Sequence, residues 1–117
     1  MTGANQKLGE WGEGLAVDWY LREGYQVVER NWRVTEGEID IIATTADRSV
    51  IVFCEVKTRT STRFGSGAES VTPAKQRQVR KVALLWLRQC GANFDTIRFD
   101  VASVNGQGDV ELLEGCF

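Results

Sequence analysis

A chain of 117 residues that is 43% hydrophobic and 26% charged has the size and composition of a soluble globular protein. We expect residues 1–117 to form a single domain. No apolar run approaches the roughly 20 residues of a membrane span, and the first seven residues lack the plan of a signal peptide. These features argue against a membrane or secreted protein, and we expect a cytoplasmic one.

The sequence contains no histidine, and its three cysteines, Cys54, Cys90 and Cys116, show no CxxC spacing. This composition excludes nucleophilic schemes that need histidine and argues against a zinc site or a disulfide framework. A catalytic metal would be held mainly by oxygen ligands, which favours Mg²⁺ or Mn²⁺. Cys54 and Cys90 fall on apolar positions, so we expect both in the core.

Charge is unevenly distributed along the chain. The net charge is −2, yet residues 57–88 contain eight basic residues and one acid. The remaining residues contain six basic and fifteen acidic groups, so +7 and −9 sum to −2. A basic segment within an acidic protein can bind a polyanion locally, and nucleic acid is the partner that we expect.

The first predicted element is a helix over residues 5–23, with Asn5 as a candidate cap and Gly24 as its end. Gly9, Gly12 and Gly14 are poor helix formers. Their presence suggests that the helix lies close against a sheet or a site.

Three strands are predicted next, over residues 25–34, 38–44 and 50–58, and the last two form a hairpin. Val28, Trp32 and Val34 would share a face of the first strand, and Ile39, Ile41 and Ala43 a face of the second. Val52, Cys54 and Val56 would share a face of the third. The apolar run from Val50 to Cys54 indicates a central strand that is buried on both faces.

A second helix is predicted from Thr72 and Pro73 to about Gln89, ending at Gly91. Its buried stripe would consist of Val79, Val82, Ala83, Trp86, Leu87 and Cys90. Two strands, over residues 97–104 and 109–113, complete the order α-β-β-β-α-β-β. This order predicts an α/β fold, a mixed sheet flanked by helices.

Acidic groups and one lysine converge if the hairpin strands pair. Glu38 and Asp40 share one strand face, Glu55 and Lys57 share another, and fourteen residues separate Asp40 from Glu55. Asp40 and Glu55 are suited to hold a divalent cation, and Lys57 to orient a water or stabilise developing charge. Such a cluster is what metal-assisted cleavage of a phosphodiester requires.

Glu13 on the first helix could hold the ion through a water; Glu10 is the competing helix acid and Glu38 the reserve ligand. The simpler interpretation is a solvated ion pair on a hairpin. Against it, burying charged groups at the end of an apolar strand costs free energy, which argues for a functional role.

The residues predicted to contact nucleic acid are Arg59, Arg63, Lys75 and Arg77. For most of Arg77, Arg80, Lys81 and Arg88, a solvated helix face is the favoured interpretation.

Several short motifs together cover almost the whole chain: Gly12-Glu13 with Ala16, Asn31-Trp32-Arg33, Gly37-Glu38-Ile39-Asp40, Phe53-x-Glu55-Val56-Lys57-x-Arg59, Phe64-Gly65, Lys75 and Arg98-Phe99-Asp100-Val101. In these motifs the sequence resembles the small YraN-type bacterial proteins. That family is similar to the restriction endonuclease-like superfamily, which has a PD-(D/E)xK site on an αβββαβ core. The resemblance implies a site of Asp40, Glu55 and Lys57, with Glu13 as the helix acid. Ile39 stands where the superfamily pattern has proline.

The sequence therefore predicts a magnesium-dependent endonuclease acting on nucleic acid, with DNA, branched or damaged, as the expected substrate. A nucleic-acid-binding module without catalysis is the alternative. A third interpretation is an interaction protein whose acidic surface docks a basic partner. Whether the protein forms a homodimer stays open.

Overall fold

The fold follows from a computed structural model that describes residues 2–60 and 71–117. Helix α1 spans Thr2–Arg22, and α2 spans Pro73–Cys90. The strands are β1 (Gln26–Val34), β2 (Gly37–Thr44), β3 (Val50–Thr58), β4 (Thr96–Val104) and β5 (Val110–Leu113). The predicted order α-β-β-β-α-β-β is confirmed, and every predicted element agrees to within a few residues.

The five strands form one mixed sheet in the order β1-β2-β3-β4-β5. Strands β3 and β4 are parallel because α2 connects them, whereas the other neighbours are antiparallel. This arrangement confirms the predicted αβββαβ core with helices flanking a mixed sheet. Among the described residues, no helix is both long and apolar enough to cross a membrane.

The two helices cover opposite faces of the sheet. Strand β3 contributes side chains to both faces, because neighbouring residues of a strand point to opposite sides. Val52 and Cys54 pack with Ala16, Val17 and Tyr20 of α1. On the other face, β3 packs against α2 in a second cluster consisting of Ile39, Ile42, Ile51, Phe53, Val79, Val82, Ala83 and Trp86. The prediction of a central strand buried on both faces is confirmed.

Three predicted positions differ from the structure. Cys90 is exposed because it is the last residue of α2. Val28 is 45% exposed because a register shift between Val27 and Glu29 turns it away from the face of Trp32. Ile39 packs on the α2 side while Ile41 packs on the α1 side, because pairing of β2 with β3 begins only at Ile41.

Helix α1 makes a close approach to β3 at Gly12. A Cβ atom built on Gly12 would lie 1.9 Å from Thr58 Oγ1 and 2.9 Å from Thr58 Cβ, whereas one on Gly9 or Gly14 would meet nothing within 4 Å. The close approach inferred from the three glycines is therefore confirmed for Gly12 alone. It brings the first half of α1 against the end of β3.

A buried carboxylate connects α1, β4 and the C-terminal segment. Asp100 is 0% exposed and accepts hydrogen bonds from Tyr20 Oη at 2.7 Å and from the Arg98 guanidinium at 2.9 Å. The Gly115 N–H also donates to Asp100, at 3.0 Å, and Arg98 in turn donates to Tyr25 Oη. Such a well-satisfied charge is typical of a structural network.

Replacing Gly12 should destabilise the fold. Gly12→Ala places a methyl group against Thr58, and we expect a loss of about 1–3 kcal/mol in the free energy of unfolding. Gly14→Ala is the matched control, because its methyl group meets open space and should raise stability by up to about 1 kcal/mol. Urea denaturation measures both. Equal effects of the two substitutions would contradict the close approach.

Candidate functional site

Asp40 and Glu55 meet where β2 and β3 stop pairing. The ladder runs from Thr44↔Ile51 to Ile41↔Cys54, and one further step would place Asp40 opposite Glu55. That backbone pair does not form. Instead, Asp40 Oδ2 accepts a hydrogen bond from the Val56 N–H at 2.8 Å. The side chain of Asp40 thus continues the hydrogen bonding beyond the last backbone pair and fixes its own position beside β3.

The environment of Asp40 disfavours its charged form. Asp40 is only 9% exposed to solvent. Burial raises the pKa of Asp40 to about 8; the negative charges of Glu55 and Glu13 and a hydrogen bond to Glu55 add to this shift, and the Val56 N–H opposes it. Two carboxyl groups this close cannot both be charged at low cost without a nearby cation.

Two lysines lie beside Glu55, which is 6% exposed. Lys57 Nζ is 3.9 Å from Glu55 Oε2, and Lys75 Nζ, from the first turn of α2, is 3.5 Å from the same oxygen. Both lysine side chains are about one-third exposed, at 33% and 32%. The lysines therefore reach from solvent to a carboxylate that is itself removed from solvent.

Glu13 completes the acidic side of the site. It lines a cavity of about 330 Å³ between α1 and the end of β3, which is lined by Leu8, Gly9, Glu13, Val56, Lys57 and Thr58. It also lines a second cavity of about 220 Å³ together with Glu10, Asn31, Arg33 and Glu38, among others. Glu13 thus lies on the side of α1 that faces Asp40, with open space on both sides.

The other two acids take different positions. Glu38, the predicted reserve ligand, forms an ion pair with Arg33 across β1 and β2. Glu10 is exposed one turn before Glu13 and hydrogen-bonds to Gln6. Of the two candidate helix acids, Glu13 is the one whose charge acts on Asp40.

The donor atoms fit a hard divalent cation held by few protein ligands. Within residues 2–60 and 71–117, no three His, Cys, Asp or Glu side chains group closely enough to form a metal cage. Asp40 and Glu55 supply a pair of carboxylates, and the adjoining cavity leaves room for water. Mg²⁺ typically keeps several waters and binds proteins through one or two carboxylates, so this pair suffices.

The residues predicted to contact nucleic acid are dispersed. Lys75 lies in the acidic site, and Arg77 is exposed on α2. Arg59 directly follows the end of β3; its N–H donates to the Val104 carbonyl, and its Nε is buried without a hydrogen-bond partner among the described residues. Arg63 lies outside the described residues, as does the predicted loop around Phe64 and Gly65.

Besides the contact of Lys75 with Glu55, two features of the site were not predicted from the sequence. The Val56 N–H is the donor that positions Asp40, and a backbone group gives no signal in the sequence. Asn31, between the ladder residues Arg30 and Trp32, has a φ of 51°, in the left-handed region. Asparagine is enriched there, so Asn31 within a strand could have indicated an irregular backbone.

Sequence comparison places the chain among proteins without an assigned activity. Residues 12–104 match the family described as "Uncharacterised protein family UPF0102". A UPF0102 protein of Mycolicibacterium gilvum is 44% identical over 108 residues, which cover 92% of this chain and 88% of the relative. A UPF0102 protein of Geobacter metallireducens is 46% identical over 110 residues, which cover 94% and 88%.

One solved structure has a weak likeness to this chain. It is the structure of Pyrococcus furiosus SfsA in complex with Ca²⁺, with a TM-score of 0.33 and 15% sequence identity. The match covers 94% of this chain and 63% of that one. A likeness of this size carries no argument about function.

The raised pKa of Asp40 predicts a pH-dependent stability. The folded protein holds the Asp40 proton up to a pH of about 8, whereas an unfolded aspartate loses it near pH 4. Between these values the folded state binds more protons, so raising the pH weakens folding, by at most about 1.4 kcal/mol per pH unit. Asp40→Asn lacks this proton and should gain stability relative to wild type from pH 5.5 to 8.5.

Urea denaturation in EDTA at several pH values measures this difference. Asp47→Asn is the control, because hydrogen bonds from Thr45 and Ser49 lower the pKa of Asp47 to about 2. Its titration lies below the tested range, so its stability should stay parallel to that of wild type. A parallel curve for Asp40→Asn would contradict the raised pKa.

Proposed function

The chain belongs to the uncharacterised protein family UPF0102, and we propose that it is a metal-dependent endonuclease that hydrolyses phosphodiester bonds of nucleic acid. The observation that carries the proposal is the buried pair of Asp40 and Glu55 with Lys57 beside it. Burying two carboxylates side by side costs free energy, and a bound catalytic cation would offset that cost.

Each side chain has a role in this proposal. Asp40 and Glu55 would hold Mg²⁺ or Mn²⁺, and Glu13 would orient a water across the adjoining cavity. When bound, such an ion supplies a Lewis acid for phosphate oxygens and a source of hydroxide near neutral pH. Lys57 would orient the attacking water or stabilise the negative charge that develops on the phosphate. Its partly exposed ammonium can reach both the site and a substrate.

Helix α2 offers the surface for the substrate backbone. It has five basic residues and no acid, and four of the basic ones, Arg77, Arg80, Lys81 and Arg88, are exposed along its length. Lys75, in the first turn of α2, contacts Glu55 from the side of the helix that faces the sheet, so the start of the helix lies at the acidic site. A phosphate backbone along α2 would therefore lead to Asp40 and Glu55. DNA, including branched and damaged forms, is the first substrate class to test.

A non-catalytic nucleic-acid-binding module is the second candidate. The acid-free sequence of α2 favours it independently of the carboxylates, because basic surfaces supply most of the affinity for phosphate backbones. This function would need Arg77 and Lys81 but not Asp40.

Replacing Asp40 or Lys57 should greatly slow the cleavage of nucleic acid. We expect Asp40→Asn and Lys57→Met to lower the Mg²⁺- or Mn²⁺-dependent rate by a factor of about 100 or more. Asp18→Asn makes the same acid-to-amide change at an exposed residue of α1 and should retain full activity. Gel assays with linear, branched and single-stranded DNA and with RNA measure the rates. Full activity of Asp40→Asn would contradict the mechanism, and absence of cleavage on all substrates would contradict the enzyme.

Neutralising the exposed face of α2 should weaken binding in EDTA. The double variant Arg77→Gln with Lys81→Gln should bind duplex DNA more weakly, with a slope of log affinity against log salt that is reduced by about 1–2. The control removes two exposed charges from α1, with Lys7→Gln and Arg22→Gln. Fluorescence anisotropy at several salt concentrations measures both. Equal losses from the two helices would show that α2 has no special role.

A further inference from the structure

Lys75 is a second lysine beside Glu55, and the proposed catalytic set of Asp40, Glu55 and Lys57 does not require it. Lys57 already provides the lysine on β3, yet Lys75 lies closer to Glu55, at 3.5 Å against 3.9 Å. The two lysines come from different elements and converge on the same carboxylate oxygen, Glu55 Oε2. One of them is therefore available for another purpose.

The position of Lys75 in α2 is unfavourable for a cation by itself. The side chain of Thr72 caps the helix by accepting a hydrogen bond from the Lys75 N–H, at 3.2 Å, and Pro73 begins the first turn. The positive end of the helix dipole lies at this turn and disfavours a nearby positive charge. The first turn of α2 contains no acid. Glu55 is thus the negative group that compensates for a lysine at this position.

We propose that Lys75 is a built-in counter-ion that occupies Glu55 until a divalent cation takes its place. The inference rests on the proposed function, because it requires that Glu55 is a metal ligand. Without the cation, the Lys75 ammonium compensates the negative charge of the buried Glu55 carboxylate. When the cation binds, the ammonium loses its attraction to Glu55 and leaves the oxygen.

The exposure of Lys75 makes this exchange feasible. Its side chain is 32% exposed, so the ammonium can move into solvent without unfolding the helix. Glu55, at 7%, cannot move with it. A released Lys75 would remain beside the site, where its positive charge could attract a substrate phosphate.

Mn²⁺ binding in the absence of nucleic acid tests the inference without any need for turnover. Lys75→Met removes the competing charge and keeps the length of the side chain, and it should bind Mn²⁺ about three- to tenfold more tightly than wild type, since a partly exposed ion pair contributes a factor of roughly five. Isothermal titration calorimetry and electron paramagnetic resonance of free Mn²⁺ measure this affinity.

Two further variants isolate the position and the charge. Lys81→Met removes an exposed lysine from the same helix and should leave Mn²⁺ affinity unchanged. Lys75→Arg keeps the charge beside Glu55 and should stay within about twofold of wild type. Equal or weaker Mn²⁺ binding by Lys75→Met would overturn the inference alone. Failure of wild type itself to bind Mn²⁺ would overturn the cation site, and with it both the inference and the proposed mechanism.

Discussion

The end of the β2–β3 ladder is the constraint from which the site follows. Up to Ile41 and Cys54 the two strands are an ordinary antiparallel pair, and one more step would oppose two carboxylates directly. Like charges at opposed positions destabilise a sheet. In place of that backbone pair, the Val56 N–H donates a hydrogen bond to the side chain of Asp40. This exchange holds Asp40 beside Glu55 although the two groups repel each other.

The packing of the sheet makes this repulsion strong. Because α1 and α2 cover opposite faces, β3 is buried along most of its length, and Glu55 shares that burial. The Gly12–Thr58 contact then brings Glu13 to the same end of β3. The elements that stabilise the fold thereby concentrate three acids near two lysines, and a cation or a proton lowers the energy of the group.

Local patterns were sufficient to predict most of the fold and the proximity of Asp40, Glu55 and Lys57 in the candidate site. The apolar run before Glu55, the spacing of Asp40 and Glu55 and the cap at Thr72 with Pro73 each depend on neighbouring residues, so the sequence exposes them directly. The contact of Lys75 with Glu55 depends on how α2 lies on the sheet, which no local pattern reports. The prediction that Ile39 shares a face with Ile41 was wrong for the same reason, since tertiary contacts determine the point where two strands separate. Cys90 was misplaced because the apolar stripe of α2 continues past the last turn that the sheet covers.

Two buried aspartates of this protein differ in how the fold compensates their charge. Asp100 is fully buried, and its oxygens accept bonds from Tyr20, the Arg98 guanidinium and the Gly115 N–H, so its charge is compensated within the fold. Asp40 accepts a bond from the Val56 N–H, and two of its neighbours are carboxylates. A ligand that brought positive charge would gain little at Asp100, where the Arg98 guanidinium already occupies that role. At Asp40 it would relieve repulsion that the fold itself creates, which is why the catalytic proposal rests on Asp40.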